Sequence, residues 1–198
     1  ILDGTIPPEM YEKYLSRVIS ETERLHKLTE SMLTLNSLDA KGFLSRTNFD
    51  INRVIKDTAA SFEGTCDSRH IRFDLTFSDN IQMVYADMGK IQQVLYNLLD
   101  NAIKFSHDDS VIYIQASSKY EKIFVSVKDT GIGIPRDSIK KIWDRFYKTD
   151  LSRGKDKRGT GLGLSIVKAI MDAHNQQYGV KNWENGVEFW FTLDGSNS

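Results

Sequence analysis

Several features are scarce in this 198-residue chain. It has a single cysteine, Cys66, so an internal disulfide is excluded, no cluster of cysteine and histidine has zinc spacing, and a reducing compartment is expected. The net charge is only −1, which gives no reason to expect a nucleic-acid partner or an anionic membrane surface. No apolar run is long enough to span a bilayer, and no signal peptide is visible. Because the chain opens on Ile1 rather than Met, we expect it to be a piece of a longer protein.

The composition that is present fits a globular domain with a helical appendage. Hydrophobic residues make up 40% of the chain and charged residues 27%, as in ordinary soluble proteins. After Pro7 and Pro8 we predict one long helix that runs to about Ala40. Its seam recurs at spacings of three, four and seven, as in helical bundles, and consists of Tyr11, Leu15, Val18, Thr22, Leu25, Met32 and Leu35. We expect this seam to pack against another chain; the alternative is that the helix packs on its own domain.

Beyond Gly42 the pattern mixes short strands with helices, without internal repeats. Several of the strands are hairpin-like neighbours, which favours a mixed sheet with helices on one face over a doubly wound parallel sheet. The predicted fold class is therefore α+β. In chain order we predict a strand at 45–49, a helix capped by Asp50 that runs to about Gly64, a strand at 71–77, a helix capped by Asp87 that runs to about His107, hairpin strands at 111–117 and 122–128, a short helix at 136–143, a helix at 162–174, and closing strands at 178–182 and 187–193.

The helix that begins after Asp87 carries polar side chains beside its apolar stripe. Asn97, Asn101 and Lys104 follow one another at spacings of four and three, so they share one side of the helix. Amide oxygens suit magnesium, and a lysine can meet a phosphate as a point charge. Taken alone, these residues fit loop capping or solvent exposure better than a metal and phosphate site.

A second motif runs from Lys128 to Pro135. The apolar strand ends in Asp129, whose carboxylate can accept a hydrogen bond from an exocyclic amine such as that of adenine. Gly131 and Gly133 would let the backbone approach a flat ring closely, because they have no Cβ. The alternative is a tight turn with a capping aspartate.

A third motif places Gly159, Gly161 and Gly163 directly before a helix. Free backbone N–H groups at a helix start form an anion site. The spacing is neither the dinucleotide fingerprint nor a Walker A loop. The basic run at 150–158 before it is either a solvated loop or a mobile lid.

Together, these segments resemble sensor histidine kinases. Residues 97–105 resemble their N box, 129–135 their first glycine box, 143–148 their phenylalanine box and 159–165 their second glycine box, in the family's order. The opening helix resembles the second helix of the family's dimerisation and phosphoacceptor hairpin. The resemblance thus divides the chain into a helix at 1–44, whose partner helix is missing, and an ATP-binding catalytic domain at 45–198.

The resemblance implies a Bergerat (GHKL-type) two-layer α/β sandwich that binds ATP and Mg²⁺. Asn97 and Lys104 would be catalytic, and Asn101 would hold magnesium with Asn97 nearby. The remaining expected nucleotide contacts are Phe105 against the nucleotide, Asp129 on the adenine amine, Gly131, Gly133 and Ile134 around the adenine, Phe146 and Lys148 at the start of the ATP lid, and Arg158, Gly159, Thr160, Gly161, Leu162 and Gly163 at its end.

In such a kinase the γ-phosphoryl passes to a histidine and then to an aspartate on a response regulator receiver domain. The intact protein would be a homodimer through the opening helix, with its catalytic domain cytoplasmic and its parent anchored in the bacterial membrane. Related hydrolases tend to carry Glu where Asn97 stands, and a neutral amide cannot take a proton from water, which favours transfer over hydrolysis. Another Bergerat ATPase, a serine kinase and a regulatory nucleotide binder are the alternatives.

The chain departs from the family pattern at the phosphoacceptor box. None of its four histidines, at positions 26, 70, 107 and 174, is followed by Glu. His26 lies in the opening helix but precedes Lys27. We therefore expect the phosphoacceptor to lie outside this piece. Two smaller departures are Trp143, where Phe is common, and Val187, where a Thr often stands near the adenine.

Overall fold

The computed structural model describes residues 7–39, 44–149 and 159–196. A 3₁₀ turn at Pro8–Met10 leads into a single helix, α1 (Tyr11–Asp39), so the predicted opening helix is confirmed. The other α-helices within these ranges are α2 (Ile51–Ala60), α3 (Glu63–Asp67), α4 (Met88–Phe105) and α5 (Gly163–Ala173). No helix in these described stretches combines the length and apolarity that a membrane crossing requires.

Two aspartates start the helices as predicted. The Asp50 carboxylate accepts from the Asn52 N–H at 3.0 Å, and the Asp87 carboxylate accepts from the Lys90 N–H at 3.1 Å. The predicted helix to Gly64 is wrong in extent, because α2 ends at Ala60 and α3 follows after a turn. The helix predicted at 136–143 consists instead of two 3₁₀ turns, Arg136–Ser138 and Lys141–Trp143, whose amides bond three residues back.

In the described ranges, seven strands form two sheets. They are β1 (Thr47–Asp50), β2 (Arg72–Phe77), β3 (Met83–Ala86), β4 (Val111–Lys119), β5 (Lys122–Asp129), β6 (Tyr178–Trp183) and β7 (Gly186–Asp194). The main sheet has the order β2-β4-β5-β7-β6, with β2 parallel to β4 and all other neighbours antiparallel. β1 and β3 form a separate antiparallel pair. The mixed sheet predicted from the sequence is confirmed, whereas β3 was not predicted.

The hydrophobic core lies between one face of the main sheet and the helices. Along β5 every second residue is buried, and the series Ile123, Val125 and Val127 ends in Asp129. Helix α4 packs on this strand and on α5 through its own apolar stripe. The alternation that buries every second residue of β5 therefore also places the Asp129 carboxylate at the edge of the core.

Helix α1 contacts the sandwich near its C-terminal end. Leu35 is 1% exposed and Leu28 packs partly against the core, where α1 meets α5. Seam residues closer to the N-terminus remain exposed, among them Leu15, Val18 and Leu25. The alternative that the helix packs on its own domain thus holds for its last turns, while packing of the seam against another chain stays a prediction.

Candidate functional site

One cavity of about 860 Å³ opens between α4, the loop after β5, the start of α5 and the middle of α1. Residues from all of the chemical motifs line this single space, although they are up to 66 positions apart in the chain (from 97 to 163). The expected site residues among its lining are Asn97, Asn101, Lys104, Phe105, Asp129, Gly133, Ile134, Lys148, Gly159, Thr160, Gly161 and Gly163.

Within the described residues, three expected site residues are not part of that lining. Leu162 is fully buried and its side chain belongs to the core. Phe146 is 56% exposed, with a φ of 64°, and its N–H donates to the Gly161 carbonyl at 2.9 Å. Gly131 lies beneath the cavity wall against the Phe105 carbonyl. Arg158 lies outside the described residues.

One end of the cavity is apolar apart from a single carboxylate. Asp129 is 4% exposed, and burial raises its pKa from 3.8 to about 6, although backbone N–H groups of Gly131 and Val187 oppose the rise. The Gly131 N–H lies 2.9 Å from Asp129 Oδ1. We call this part of the cavity the carboxylate end. Its apolar lining residues are Ile132, Ile134, Ile142, Ile166, Val187 and Phe189.

Two glycines hold the backbone around Asp129 at distances that no larger residue allows. A Cβ on Gly131 would come within 2.4 Å of the Phe105 carbonyl oxygen, and one on Gly186 within 2.1 Å of the Asp129 carbonyl oxygen. Gly131 also forms an isolated antiparallel bridge with Ser106 just after α4. The end of α4 and the end of β5 are thereby locked together, which fixes the position of the carboxylate.

The opposite end of the cavity is polar and is formed by α4. Asn97 donates through Nδ2 to the Gln93 carbonyl at 3.0 Å, and its Oδ1 lies where a Cβ on Gly163 would be only 3.2 Å away. The amide oxygen of Asn97 therefore lies beside the first turn of α5. Lys104 pairs with Asp100 at 2.6 Å, so the ammonium is held on the cavity side of α4. Asn101 stands between them on the same side of the helix.

The glycine-rich segment leads into α5 at this polar end. Gly161 has a φ of 72°, and a Cβ there would lie 3.0 Å from the Phe146 backbone. The segment is anchored by the bond from Phe146 to Gly161, and Leu162 N–H bonds to Thr160 Oγ1 at 3.3 Å. The first N–H groups of α5 lack intrahelical partners and carry the positive end of the helix dipole, so this end suits an anion.

Helix α1 forms a wall of the cavity that the sequence analysis missed. The lining includes Ser20, Glu23, Arg24, Lys27, Glu30 and Ser31. The sequence offered one signal, because Glu23, Lys27 and Glu30 follow at spacings of four and three and so share a helix side. Asp100 and Tyr147 also line the cavity and were not predicted as site residues.

None of the four histidines, all of which lie in described parts of the chain, lines the cavity. His174 is 3% exposed; its Nε2 accepts from the Asp87 N–H at 3.1 Å and its Nδ1 lies 2.8 Å from the Ile170 carbonyl. Burial, the largest influence, lowers the pKa of His174. His26 is exposed on α1, with Nε2 3.4 Å from the Glu30 carboxylate. The described lining of the cavity thus offers groups that suit a nucleotide but no imidazole nucleophile.

Known proteins are similar to this chain in sequence and in architecture. The model of the family "Histidine kinase-, DNA gyrase B-, and HSP90-like ATPase" matches residues 86–197, more than half of the chain. The sensor histidine kinase WalK of Bacillus subtilis (strain 168) is 35% identical over 185 residues, which are 91% of this chain and 30% of that protein. The chain thus spans about a third of the length of this relative.

Solved structures agree with the family match. The catalytic domain of histidine kinase ThkA has a TM-score of 0.70 and 34% identity, covering 76% of this chain and 96% of that one. ThkA in complex with the response regulator protein TrrA has a TM-score of 0.79 and 31% identity over 96% of this chain and 53% of that one. Full-length ShkA in complex with AMPPNP has a TM-score of 0.82 and 26% identity over 100% of this chain and 42% of that one. With the four motifs around one cavity, these matches show that the chain belongs to the histidine kinase-, DNA gyrase B- and HSP90-like ATPase family, in its sensor histidine kinase branch.

Proposed function

We propose that this chain is the ATP-binding and phosphoryl-donor part of a protein-histidine kinase. The observation that carries the proposal is that Asn101, Asp129 and Gly161, from three separate motifs, line one cavity. Its volume of about 860 Å³ lies within the usual range of small-molecule sites. The similarity to ShkA, solved with the ATP analogue AMPPNP, supports ATP as the ligand. On the same grounds we propose the division into a helix at 1–44 and a catalytic domain at 45–198.

The carboxylate end would take the adenine. At neutral pH Asp129 is largely ionised, since its pKa is about 6, and an ionised carboxylate only accepts hydrogen bonds. It can therefore bind the exocyclic amine of adenine and would repel the carbonyl oxygen that guanine carries at that position. Gly133 and Ile134 would lie along the ring, with Gly131 behind them. The buried Leu162 would support the polar end from the core.

The polar end would take the phosphates and fits magnesium. Magnesium is usually held by one or two protein oxygens together with substrate phosphates and water, and Asn101 and Asn97 offer amide oxygens there. Within the described ranges no group of three or more His, Cys, Asp or Glu could form a dedicated metal cage, so the phosphates would complete the coordination. When bound, the ion would neutralise phosphate charge. The phosphates would be contacted by Lys104, Lys148, Gly159, Thr160, Gly161 and Gly163. Phe105 would lie against the nucleotide, and the lid would include Phe146 and Arg158.

Asn97 favours transfer over hydrolysis. Its Nδ2 is committed to the Gln93 carbonyl, and its Oδ1 faces the start of α5. An amide oxygen can orient a ligand but cannot accept a proton from water, so no general base stands at this position. Positioning by Asn97 and charge neutralisation by Lys104 are what phosphoryl transfer requires of a protein.

The wider role follows from the family. We propose that the γ-phosphoryl passes to a histidine outside this piece and then to a receiver domain, as the complex of ThkA with the response regulator protein TrrA supports. The exposed apolar residues of α1, including Val18 and Leu25, support a homodimer through this helix in the intact protein. We also propose a cytoplasmic position on a membrane-anchored parent. Val18→Glu in the intact protein should produce monomers in sedimentation analysis, whereas Lys13→Glu should leave a dimer.

Calorimetric titration with ATP and magnesium tests the central proposal. The native chain should bind ATP, and Asn101→Ala should weaken binding at least tenfold, while Asn80→Ala, a loop asparagine that does not line the cavity, should change nothing. Incubation with γ-labelled ATP should leave the chain unlabelled. Absence of ATP binding would refute the proposal, acid-labile label on His26 would place the phosphoacceptor inside this piece, and steady phosphate release would favour an ATPase.

A further inference from the structure

The hairpin of β6 and β7 reaches the carboxylate end from outside the cavity. In the register of the sheet, Asn182 is opposite Val187, and Val187 is opposite Asp129. Residues that are directly opposite across neighbouring strands project from the same face of a sheet. Asn182 is therefore the third member of a transverse row whose other two members line the cavity, although Asn182 itself does not.

The Asn182 side chain binds both backbone polar groups of Ile134. The Ile134 N–H donates to Asn182 Oδ1 at 2.9 Å, and Asn182 Nδ2 donates to the Ile134 carbonyl at 2.7 Å. This is the pattern by which one strand residue pairs with another, made here by a side-chain amide. Because Ile134 lines the cavity, the pair fixes a wall residue to the sheet from behind.

The loop that lines the carboxylate end is consequently held at two points. At one point Gly131 is bridged to Ser106, and at the other Ile134 is paired with Asn182. Between them lie Ile132 and Gly133, which has a φ of 71° and faces the cavity. In the described part of the chain, the side-chain hydrogen bonds to residues 132–134 are the two made by Asn182.

The same hairpin also holds Asp129. The Trp183 indole N–H donates to the Asp129 carbonyl at 2.9 Å, and the Lys128 ammonium lies 3.9 Å from the centre of the Trp183 ring. Asp129 and the loop that follows it are therefore both held by β6, through its consecutive residues Asn182 and Trp183. Removing the Asn182 pair would free the loop while leaving the carboxylate anchored.

We propose that Asn182 is a positioning residue for nucleobase binding: without touching the nucleotide, it sets adenine-nucleotide affinity by holding the loop 131–135 at the carboxylate end. The inference rests on the proposed ATP binding and adds a specific residue to it. Asn182 is exposed, so water can satisfy Ile134 when the side chain is removed. The expected loss therefore lies in the order of the loop and in binding, more than in folding.

Titrations with two ligands test this inference. Asn182→Ala should weaken ATP binding about tenfold, equivalent to about 1.4 kcal/mol, and should leave the binding of inorganic tripolyphosphate with magnesium, measured by competition, unchanged. Asn182→Asp keeps an acceptor for the Ile134 N–H but loses the donor at neutral pH, so it should also weaken ATP binding. Asn185→Ala, in the exposed turn of the same hairpin, is the matched control and should bind both ligands like the native chain.

Amide hydrogen exchange gives a second readout. In Asn182→Ala the Ile134 amide should exchange faster, whereas the Ile123 and Val125 amides within β5 should not change. The inference is wrong if Asn182→Ala and Asn182→Asp bind ATP as tightly as the native chain, or if ATP and tripolyphosphate lose affinity equally. If the native chain itself fails to bind ATP, the proposed function is refuted instead, so the two failures are distinguishable.

Discussion

The buried carboxylate of Asp129 makes stability and nucleotide binding depend on pH in opposite directions. Folding raises the pKa of Asp129 from 3.8 to about 6, mainly because burial disfavours the charged form. Between those two values the folded protein holds a proton that the unfolded chain releases. The free energy of unfolding therefore falls as the pH rises through this window, and above the window the loss of unfolding free energy is complete.

The magnitude follows from the size of the pKa rise. A change from 3.8 to about 6 corresponds to about 3 kcal/mol of unfolding free energy above pH 7, of which about 1.4 kcal/mol is lost between pH 5 and pH 7.5. Asp129→Asn has no charge to bury and keeps an acceptor for the Gly131 N–H. We therefore expect the unfolding free energy of this variant, relative to that of the native chain, to be about 1.4 kcal/mol higher at pH 7.5 than at pH 5.

Binding should change in the other direction. The ionised carboxylate accepts from the adenine amine, so ATP affinity of the native chain should fall as the pH drops below about 6. Loss of a charge-assisted hydrogen bond in Asp129→Asn should weaken ATP binding by roughly 10- to 100-fold at pH 7.5.

Urea unfolding at pH 5 and pH 7.5, with ATP titrations at the same pH values, would test both effects. The control is Asp74→Asn, which alters an exposed carboxylate of β2. If the native chain and Asp129→Asn show parallel stability curves over this pH range, the reasoning from burial is refuted.

Three further substitutions test the support of the site. Arg69 donates to two carbonyls at the end of α4, so Arg69→Ala should lower the unfolding free energy by about 2–3 kcal/mol in chemical denaturation, and an unchanged midpoint would contradict this role. Gly131→Ala would place a Cβ 2.4 Å from the Phe105 carbonyl oxygen and should weaken ATP binding at least tenfold in calorimetry; Gly64→Ala, whose Cβ would meet nothing within 4 Å, is the control and should stabilise α3 by about 0.5–1 kcal/mol. His174 has a lowered pKa, so the stability that its neutral form contributes is present above pH 6.5 and lost as the pH falls through the lower folded value; His174→Gln should show a flatter acid limb in urea unfolding, and an equally steep limb would contradict the burial argument.

The sequence predicted the parts of the fold that depend on local chemistry. Alternation along β5, the aspartate caps of α2 and α4, and the glycines before α5 each have a short-range physical cause, and the structure contains all of them. β3 was missed because its four residues gain their burial from β1 and from a bridge to Gly195, which lie far away in the chain.

Long-range packing also explains which features of the site the sequence did not indicate. Glu23 and Lys27 belong to a charged helix side, which is normally solvated, and the packing of α1 on α5 brings this side to the cavity. Phe146 carries a motif position; its backbone φ is 64° and the residue is 56% exposed. Asn182 was not singled out, because its two bonds to Ile134 join residues 48 positions apart.

Among the described side chains of α1, the buried one is Leu35, near the C-terminal end of the helix, where α1 packs on α5. About 36 Å of helix separates Leu35, where α1 is buried, from Tyr11, at roughly 1.5 Å per residue. A rotation of about 10° around the buried end would displace the far end by about 6 Å, a little more than one helical turn. Because the middle of the same helix lines the cavity, such a rotation would also change the width of the cavity.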